Sequence, residues 1–332
     1  MKKGLSLSLA SLLVVLALVP LTAVAKVDEK VDYLALGDSL AAGQTPYREI
    51  GKGYTDFLAE YMDDIEYLDD YSNAFAVPGY TTGDVLRDIE QDVAKGGQHI
   101  QASIEDAEII TLDAGANDIL REIKITPNGV SVDREKVEEL IEQAGDNLSD
   151  IFSAINDLNP DAEVFVMGYY NSFPYLPEPV QKQLMPLLDS LNHTIKTKTL
   201  RARATFVPTA EAIAADFRTY LPNPADIHPS EEGYEVLAHT MWKEVNSVFP
   251  LASLQADKRR VTLEKGKNIQ LTLTATYKNG EDQDVTSFAQ WSTTNKRIVE
   301  VKDGKLTAKA KGTAAIKARY GGKTYTITVK VK

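Results

Sequence analysis

The chain has 332 residues, 43% of them hydrophobic and 25% charged, which is enough apolar mass for one large core and a smaller second one. It has no cysteine, and this excludes disulfides, thiolate metal sites and a lipid-modified cysteine. The net charge of −12 is unevenly spread: residues 257–332 hold 17 Lys and Arg against 7 Asp and Glu, a net of +10, leaving −22 for residues 1–256, so two domains of opposite character are expected.

At the N-terminus, Lys2 and Lys3, an apolar stretch from Leu5 to Val19, Pro20 and Ala23-Val24-Ala25 read as a secretory signal peptide over residues 1–25, cleaved after Ala25. The apolar stretch is shorter than the roughly 20 residues that cross a bilayer. No later segment is long and apolar enough to do so. An extracellular location follows, with attachment to the cell surface left open.

Residues 27–250 alternate short apolar runs with helical patterns. Tyr33–Leu36, Ala74–Val77, Ile109–Leu112, Val164–Met167 and Thr205–Val207 read as strands. Between the third and fourth, Val137, Leu140, Ile141, Ala144, Leu148, Ile151, Phe152, Ile155 and Leu158 recur every three or four residues, which predicts an amphipathic helix, and Asn159-Pro160 stops it. Strands alternating with helices predict an α/β fold, a doubly wound parallel sheet with helices on both faces. A Pro-rich stretch from Ser172 to Pro179 follows the fourth strand and reads equally as a rigid connection or a loop that touches substrate.

From about Arg260 the period becomes two. Ile269, Leu271, Leu273, Ala275 and Tyr277 alternate with polar residues, as do Tyr325, Ile327, Val329 and Val331, and Asn279-Gly280, Asp303-Gly304, Lys311-Gly312 and Gly321-Gly322 punctuate the runs. Residues 257–332 are therefore expected to form a small, compact antiparallel sandwich with Trp291 in its core.

Chemistry is concentrated at the ends of the first three strands and before the last helix of the α/β part. Gly37-Asp38-Ser39-Leu40 puts a serine hydroxyl at the C-terminal end of the first strand, the edge where open α/β sheets bind ligands. A serine needs a base and an oxyanion site to act as a nucleophile. Of four histidines, His228 stands out: Pro229 follows it, and Ser230-Glu231-Glu232 reads as a helix N-cap with an acidic first turn. His99, His193 and His239 lie in or beside helical sequence and read as surface or packing residues. Asp226 is the carboxylate nearest to His228. Gly115-Ala116-Asn117-Asp118 closes the third strand, where Asn117 either donates to an oxyanion or caps a helix. Gly79, in Val77-Pro78-Gly79-Tyr80 after the second strand, either offers an N–H at the same rim or forms a plain Pro-Gly turn.

These four separated blocks together resemble the SGNH (GDSL) hydrolase family over roughly Val31 to Phe249. The resemblance implies a flavodoxin-like fold, Ser39 as nucleophile, His228 as base, and an oxyanion hole of the Ser39 N–H, the Gly79 N–H and the Asn117 side chain. It implies no metal and no organic cofactor. The family's last block usually has its aspartate three residues before the histidine, where this chain has Ala225. Asp226 is one residue closer, so either it or a backbone carbonyl orients His228.

Val261-Thr262-Leu263, Asp284-Val285-Thr286, Trp291-Ser292, Gly304, Lys311-Gly312-Thr313-Ala314 and the terminal Val329–Val331 strand resemble a bacterial immunoglobulin-like domain of group 2. This implies either a spacer or a module that holds the protein on an anionic cell-wall polymer or lipid surface. The expected activity is that of a secreted serine esterase or lipase-type acylhydrolase acting on lipid, small acyl ester or acylated glycan, with no nucleic-acid partner. The alternatives are a deacetylase of wall or extracellular polysaccharide and a catalytically silent surface adhesin. Ending the chain near Leu254 is expected to leave activity on soluble esters intact, because no candidate catalytic residue lies beyond His228.

Overall fold

The computed structural model describes residues 30–126 and 129–332; the signal peptide expected over residues 1–25 lies outside them. Five strands, β1 (Val31–Gly37), β2 (Leu68–Ala76), β3 (Ile109–Asp113), β4 (Glu163–Met167) and β5 (Thr205–Val207), form one parallel sheet in the order β2-β1-β3-β4-β5. All five residues of β3 are buried, as expected of a central strand covered on both faces. The strand β2 begins six residues before its apolar run because it lies at the sheet edge, where Asp69, Asp70 and Ser72 interrupt the pattern.

The covering helices are α1 (Tyr54–Asp63), α2 (Thr82–Glu90), the short α3 (Ala116–Leu120), α4 (Arg134–Leu158), α5 (Glu178–Arg201) and α6 (Glu231–Val245). On one side α1 packs on α6, and on the other α4 lies between α2 and α5. The predicted amphipathic helix is α4. Asp133 caps it by accepting the Lys136 N–H at 3.1 Å, which offsets one of the free N–H groups of the first turn. Beyond its end, the Asn159 amide donates to the carbonyls of Ile104, Glu105 and Ala107. At the C-terminal edge of the sheet, Gly37 pairs with both Ala76 and Asp113, so the loops after β1, β2 and β3 converge there. Gly37 has a φ of +150°, and a Cβ on it would lie 2.6 Å from Asp113 Oδ1. Only glycine lets the chain turn there into the residues that follow.

The C-terminal all-β domain contains β6 (Leu251–Ala256), β7 (Arg260–Leu263), β8 (Asn268–Gln270), β9 (Leu273–Tyr277), β10 (Asp282–Asp284), β11 (Gln290–Thr293), β12 (Val299–Lys302), β13 (Lys305–Ala308), β14 (Gly312–Tyr320) and β15 (Lys323–Val331). They form three small sheets, β6-β9-β10, β7-β15-β14-β11 and β8-β13-β12. The pairs are antiparallel with one correction to the expectation: β7 runs parallel to β15. Trp291 is a second correction. It is only partly buried, with its indole N–H on the Thr286 carbonyl at 2.8 Å, and the fully covered aromatic of this domain is Tyr277.

The expected smaller core exists, around Val261, Leu271, Ile316, Ile327 and Val329. The larger core, however, does not stop where the α/β part ends, because α6 serves two neighbours. The Tyr234 hydroxyl donates to the Gln44 carbonyl at 2.6 Å on the α/β side. Toward the β domain, the Trp242 indole donates to the Tyr320 hydroxyl at 3.0 Å, and Tyr320 meets the Tyr277 hydroxyl at 2.8 Å. Phe288 stacks on His239 with centroids 4.5 Å apart and packs its edge on Tyr61 and Trp242, while Tyr277 meets Tyr67. The Asn279 amide donates to the Ile65 carbonyl at 2.8 Å. Two oppositely charged regions therefore share one continuous apolar core.

Candidate active site

Ser39 sits in the first turn after β1. The Asp38 N–H bonds to the Asp113 carbonyl at 3.0 Å and the Gln44 N–H to the Ser39 carbonyl at 2.9 Å, so both flanks of the serine are tied. Its hydroxyl is nearly covered, at 8% exposure for the residue. The oxygen lies 2.8 Å from His228 Nε2. On the other side of the ring, His228 Nδ1 is 2.6 Å from Asp226 Oδ1, and the same oxygen accepts the His228 backbone N–H at 2.9 Å.

That double acceptance explains how an aspartate only two residues away reaches the ring: the loop curls so that one carboxylate oxygen meets both N–H groups of the same histidine. An ionised carboxylate can only accept, so Nδ1 carries the proton and the lone pair of Nε2 faces the serine. The loop itself is fixed by Tyr170, whose hydroxyl donates to the Ile227 carbonyl at 2.9 Å, and by the Ser230 N–H on the Tyr220 carbonyl at 2.9 Å. Ser230 caps α6 by accepting the Gly233 N–H at 3.2 Å. The Gln44 amide nitrogen also lies 3.4 Å from Nδ1.

Asn117 is not the cap of α3. That position is Gly115, at φ +134°, and the Asn117 amide instead donates to the Tyr80 carbonyl at 2.9 Å and to Asp38 Oδ2 at 3.3 Å. Gly79 turns at φ +86° beside Asn117's partner Tyr80, and its carbonyl accepts from Arg121 at 3.2 Å. Among the described residues the N–H groups of Ser39 and Gly79 have no hydrogen-bond partner. Asp118 ties the start of α3 to that of α2 through the Thr82 hydroxyl, at 2.7 Å, and its N–H, at 3.0 Å.

The sequence-predicted residues thus gather at one edge: Ser39, His228 and Asp226 in a hydrogen-bonded row, with Gly79 and Asn117 on the loops beside them. The other histidines are elsewhere. His99 is exposed against Asp92, His193 is exposed on α5, and His239 belongs to the aromatic seam. Sequence reasoning missed a buried layer under Ser39, made of the Asp38 and Asp113 side chains with the Tyr54 and Tyr169 hydroxyls on them. The available signal was Asp113 itself, a carboxylate ending the wholly buried strand β3. Burial pushes the phenols of Tyr54 and Tyr169 well above their ordinary value, so both stay donors.

Near the site an apolar cleft opens between α3, α5 and the loop after β4, lined among others by Ala116, Leu120, Tyr169, Phe173, Leu184 and Leu188. Ser172 and Phe173 bring the start of the Pro-rich stretch into this lining, while Pro177 stands at the N-cap position of α5 and Pro179 lies in its first turn. Among the described residues no group of three or more His, Asp or Glu is placed to hold a metal ion.

Comparison with known proteins bears on the family and the fold. A model of the GDSL-like lipase/acylhydrolase family matches residues 35–236, and one of the bacterial Ig-like domain (group 2) matches residues 251–331. A lipase from a goat rumen metagenome has a similar solved structure, with 20% identity, 64% of this chain and 95% of that one covered and a TM-score of 0.51. An acetylxylan esterase from Geobacillus stearothermophilus is similar at 18% identity, 65% and 94% coverage and a TM-score of 0.48. No curated protein matches.

Proposed function

The chain belongs to the GDSL-like lipase/acylhydrolase family, and on that premise we propose that it hydrolyses carboxylic esters through an acyl-enzyme on Ser39. The observation that carries the reading is the row Ser39 Oγ, His228 and Asp226 Oδ1, with spacings of 2.8 and 2.6 Å. The Ser39 oxygen attacks the ester carbonyl while Nε2 takes its proton, and Asp226 holds the ring and stabilises the imidazolium that forms. The developing oxyanion is received by the unpartnered N–H groups of Ser39 and Gly79 and by the Asn117 amide, whose longer bond to Asp38 is the one exchanged. The imidazolium then protonates the departing alcohol, and a water activated by Nε2 releases the acid.

The apolar cleft beside Asn117 favours an acyl chain longer than acetyl, since polar lining would be needed to hold a sugar there. A deacetylase of acylated glycan is the second enzyme reading, and a silent adhesin the non-enzyme one. A panel of p-nitrophenyl esters of rising chain length, run beside acetylated sugars with Ser39→Ala as control, separates all three. The expected outcome is a rate that rises beyond acetate and falls roughly a million-fold in Ser39→Ala. A preference for acetylated sugars would favour the deacetylase, and equal rates in the variant would remove Ser39 from the mechanism. The reading includes secretion and retention at an anionic surface by the Ig-like domain, whose net +10 acts over about a Debye length, roughly 8 Å at physiological salt. Sedimentation of the full-length protein with wall sacculi or anionic vesicles must then weaken sharply with salt. Salt-insensitive sedimentation, or none, would leave the domain as a spacer.

A further inference from the structure

Beneath the nucleophile lie two carboxyl groups that take no part in the proposed ester hydrolysis. Asp38 is 2% exposed and Asp113 fully buried; Asp113 Oδ2 lies 3.4 Å from the Asp38 N–H, and the two carboxyls act on each other's titration through a side-chain hydrogen bond. Among the described residues neither forms an ion pair with a lysine or arginine. Two ionised carboxylates in contact within a dry site repel strongly, so such a pair keeps one proton between them.

The partners decide where the proton sits. Asp38 Oδ1 accepts the Leu40 N–H at 2.9 Å, and Oδ2 accepts the Tyr169 hydroxyl at 2.9 Å and the Asn117 amide at 3.3 Å. Asp113 Oδ1 accepts the Tyr54 hydroxyl at 2.8 Å, but its Oδ2 has only long contacts, 3.3 and 3.4 Å, from the Ala41 and Asp38 N–H groups. We propose that Asp38 and Asp113 share one proton, held by Asp113 and donated to Asp38, so that a single negative charge beneath Ser39 positions the nucleophile's turn and the Asn117 amide. Burial and the neighbouring Asp38 push Asp113 well above the ordinary carboxylate range; burial raises Asp38 too, but the hydrogen bonds from Asp113, Leu40 and Tyr169 oppose that rise. The other titratable groups facing the pair are Tyr33 of β1, Tyr54 of α1, Tyr169 and Tyr170 after β4, Tyr234 of α6, and His228 with Asp226.

Asp38 is thereby a positioning residue. Its charged oxygens hold the backbone just after Ser39 and, until the oxyanion takes its place, the Asn117 amide, and Oδ1 lies 3.5 Å from Ser39 Oγ. Loss of the Asp113 proton would add a second charge and push the two side chains apart, so turnover falls on the alkaline side. The kinetic consequence rests on the ester-hydrolase reading; the shared proton does not.

The test has one spectroscopic and one kinetic arm. Infrared spectra of the wild-type protein at about pH 8, far above the ordinary carboxylate range, should show the C=O stretch of a protonated carboxyl, and Asp113→Asn should lack it. Asn keeps the shape and neutrality of the protonated acid. The variant should therefore hold kcat near wild type at neutral pH, leave KM unchanged and lose the alkaline fall in kcat. Absence of the band in the wild type, its persistence in Asp113→Asn, or a pH profile that superimposes on the wild type would overturn the proposal. If Asp113→Asn does not fold, the wild-type titration decides. The band and kcat must disappear over the same pH range, and a band that titrates with no change in kcat refutes the positioning role. A protein that shows the band but hydrolyses no ester would keep the shared proton and lose the activity reading.

Discussion

Acidification should loosen the seam between the two domains through His239. Its ring stacks on Phe288 of the Ig-like domain, and burial, with Lys243 adding to it, brings its pKa down from 6.5 to about 4. A histidine depressed in the folded state binds its proton first in the unfolded chain. The stability it permits is therefore complete above about pH 6.5, is lost as pH falls through the window between 6.5 and 4, and changes no further below that. With those two values the loss from this one ring is about 2 kcal/mol at pH 5 and about 3 kcal/mol at pH 4, each tenfold excess of protonation in the unfolded chain costing about 1.4 kcal/mol. That is a large share of a typical folding free energy of about 5–15 kcal/mol. Urea unfolding at pH 7 and pH 5, for the wild type and for His239→Gln, isolates the contribution, since glutamine does not titrate. The variant should show about 2 kcal/mol less destabilisation between the two pH values than the wild type. Equal pH dependence in the two proteins, or an NMR titration that puts the His239 ring near 6.5, would refute the reasoning.

Asp226→Asn should lower kcat by up to about ten-thousand-fold, because an amide can present its N–H to Nδ1 and leave the imidazole in the wrong tautomer; near-native turnover would mean that another group holds the ring. Ending the chain after Pro250 would strip the cover from Tyr61, Tyr67 and Trp242, which meet Phe288, Tyr277 and Tyr320. At about 1.5–3 kcal/mol for each large apolar side chain exposed, the loss approaches the whole stability of a domain, so the truncated protein should melt far below the full chain or precipitate, and a melting temperature and esterase rate matching the full chain would show that the seam contributes little.

Ser39, Gly79, Asn117 and His228 were legible because each lies in a short block whose position relative to a strand end or helix start is set locally. The parallel sheet was legible for the same reason, as its central strands carry short, mostly apolar runs. The edge strand β2 was read only in its last turn, since half of its surface is wet and carries aspartates. Whether Asp226 could reach His228 depended on the curl of the three residues from Asp226 to His228, which spacing alone does not determine. Asp113 was overlooked because a carboxylate ending a strand is ordinarily a solvated rim residue, and only its pairing with Asp38 from another strand keeps it dry. The seam was hidden for a different reason: Tyr61, Trp242, Tyr277 and Tyr320 read as members of two cores, and no sequence pattern says that the cores are one.

The helix α6 joins the two ends of this molecule. It begins three residues after His228 and carries Trp242 on its last turn against Tyr320, a stiff rod about 22 Å long at 1.5 Å per residue. An enzyme hung from a wall by a slack tether would swing freely, and tension on the tether would stop at the attachment point. Here the attachment is a bracket. If the Ig-like domain is held at a surface as proposed, a pull on it would enter the α/β domain through an aromatic joint and run along α6 toward the loop that seats the His228 imidazole.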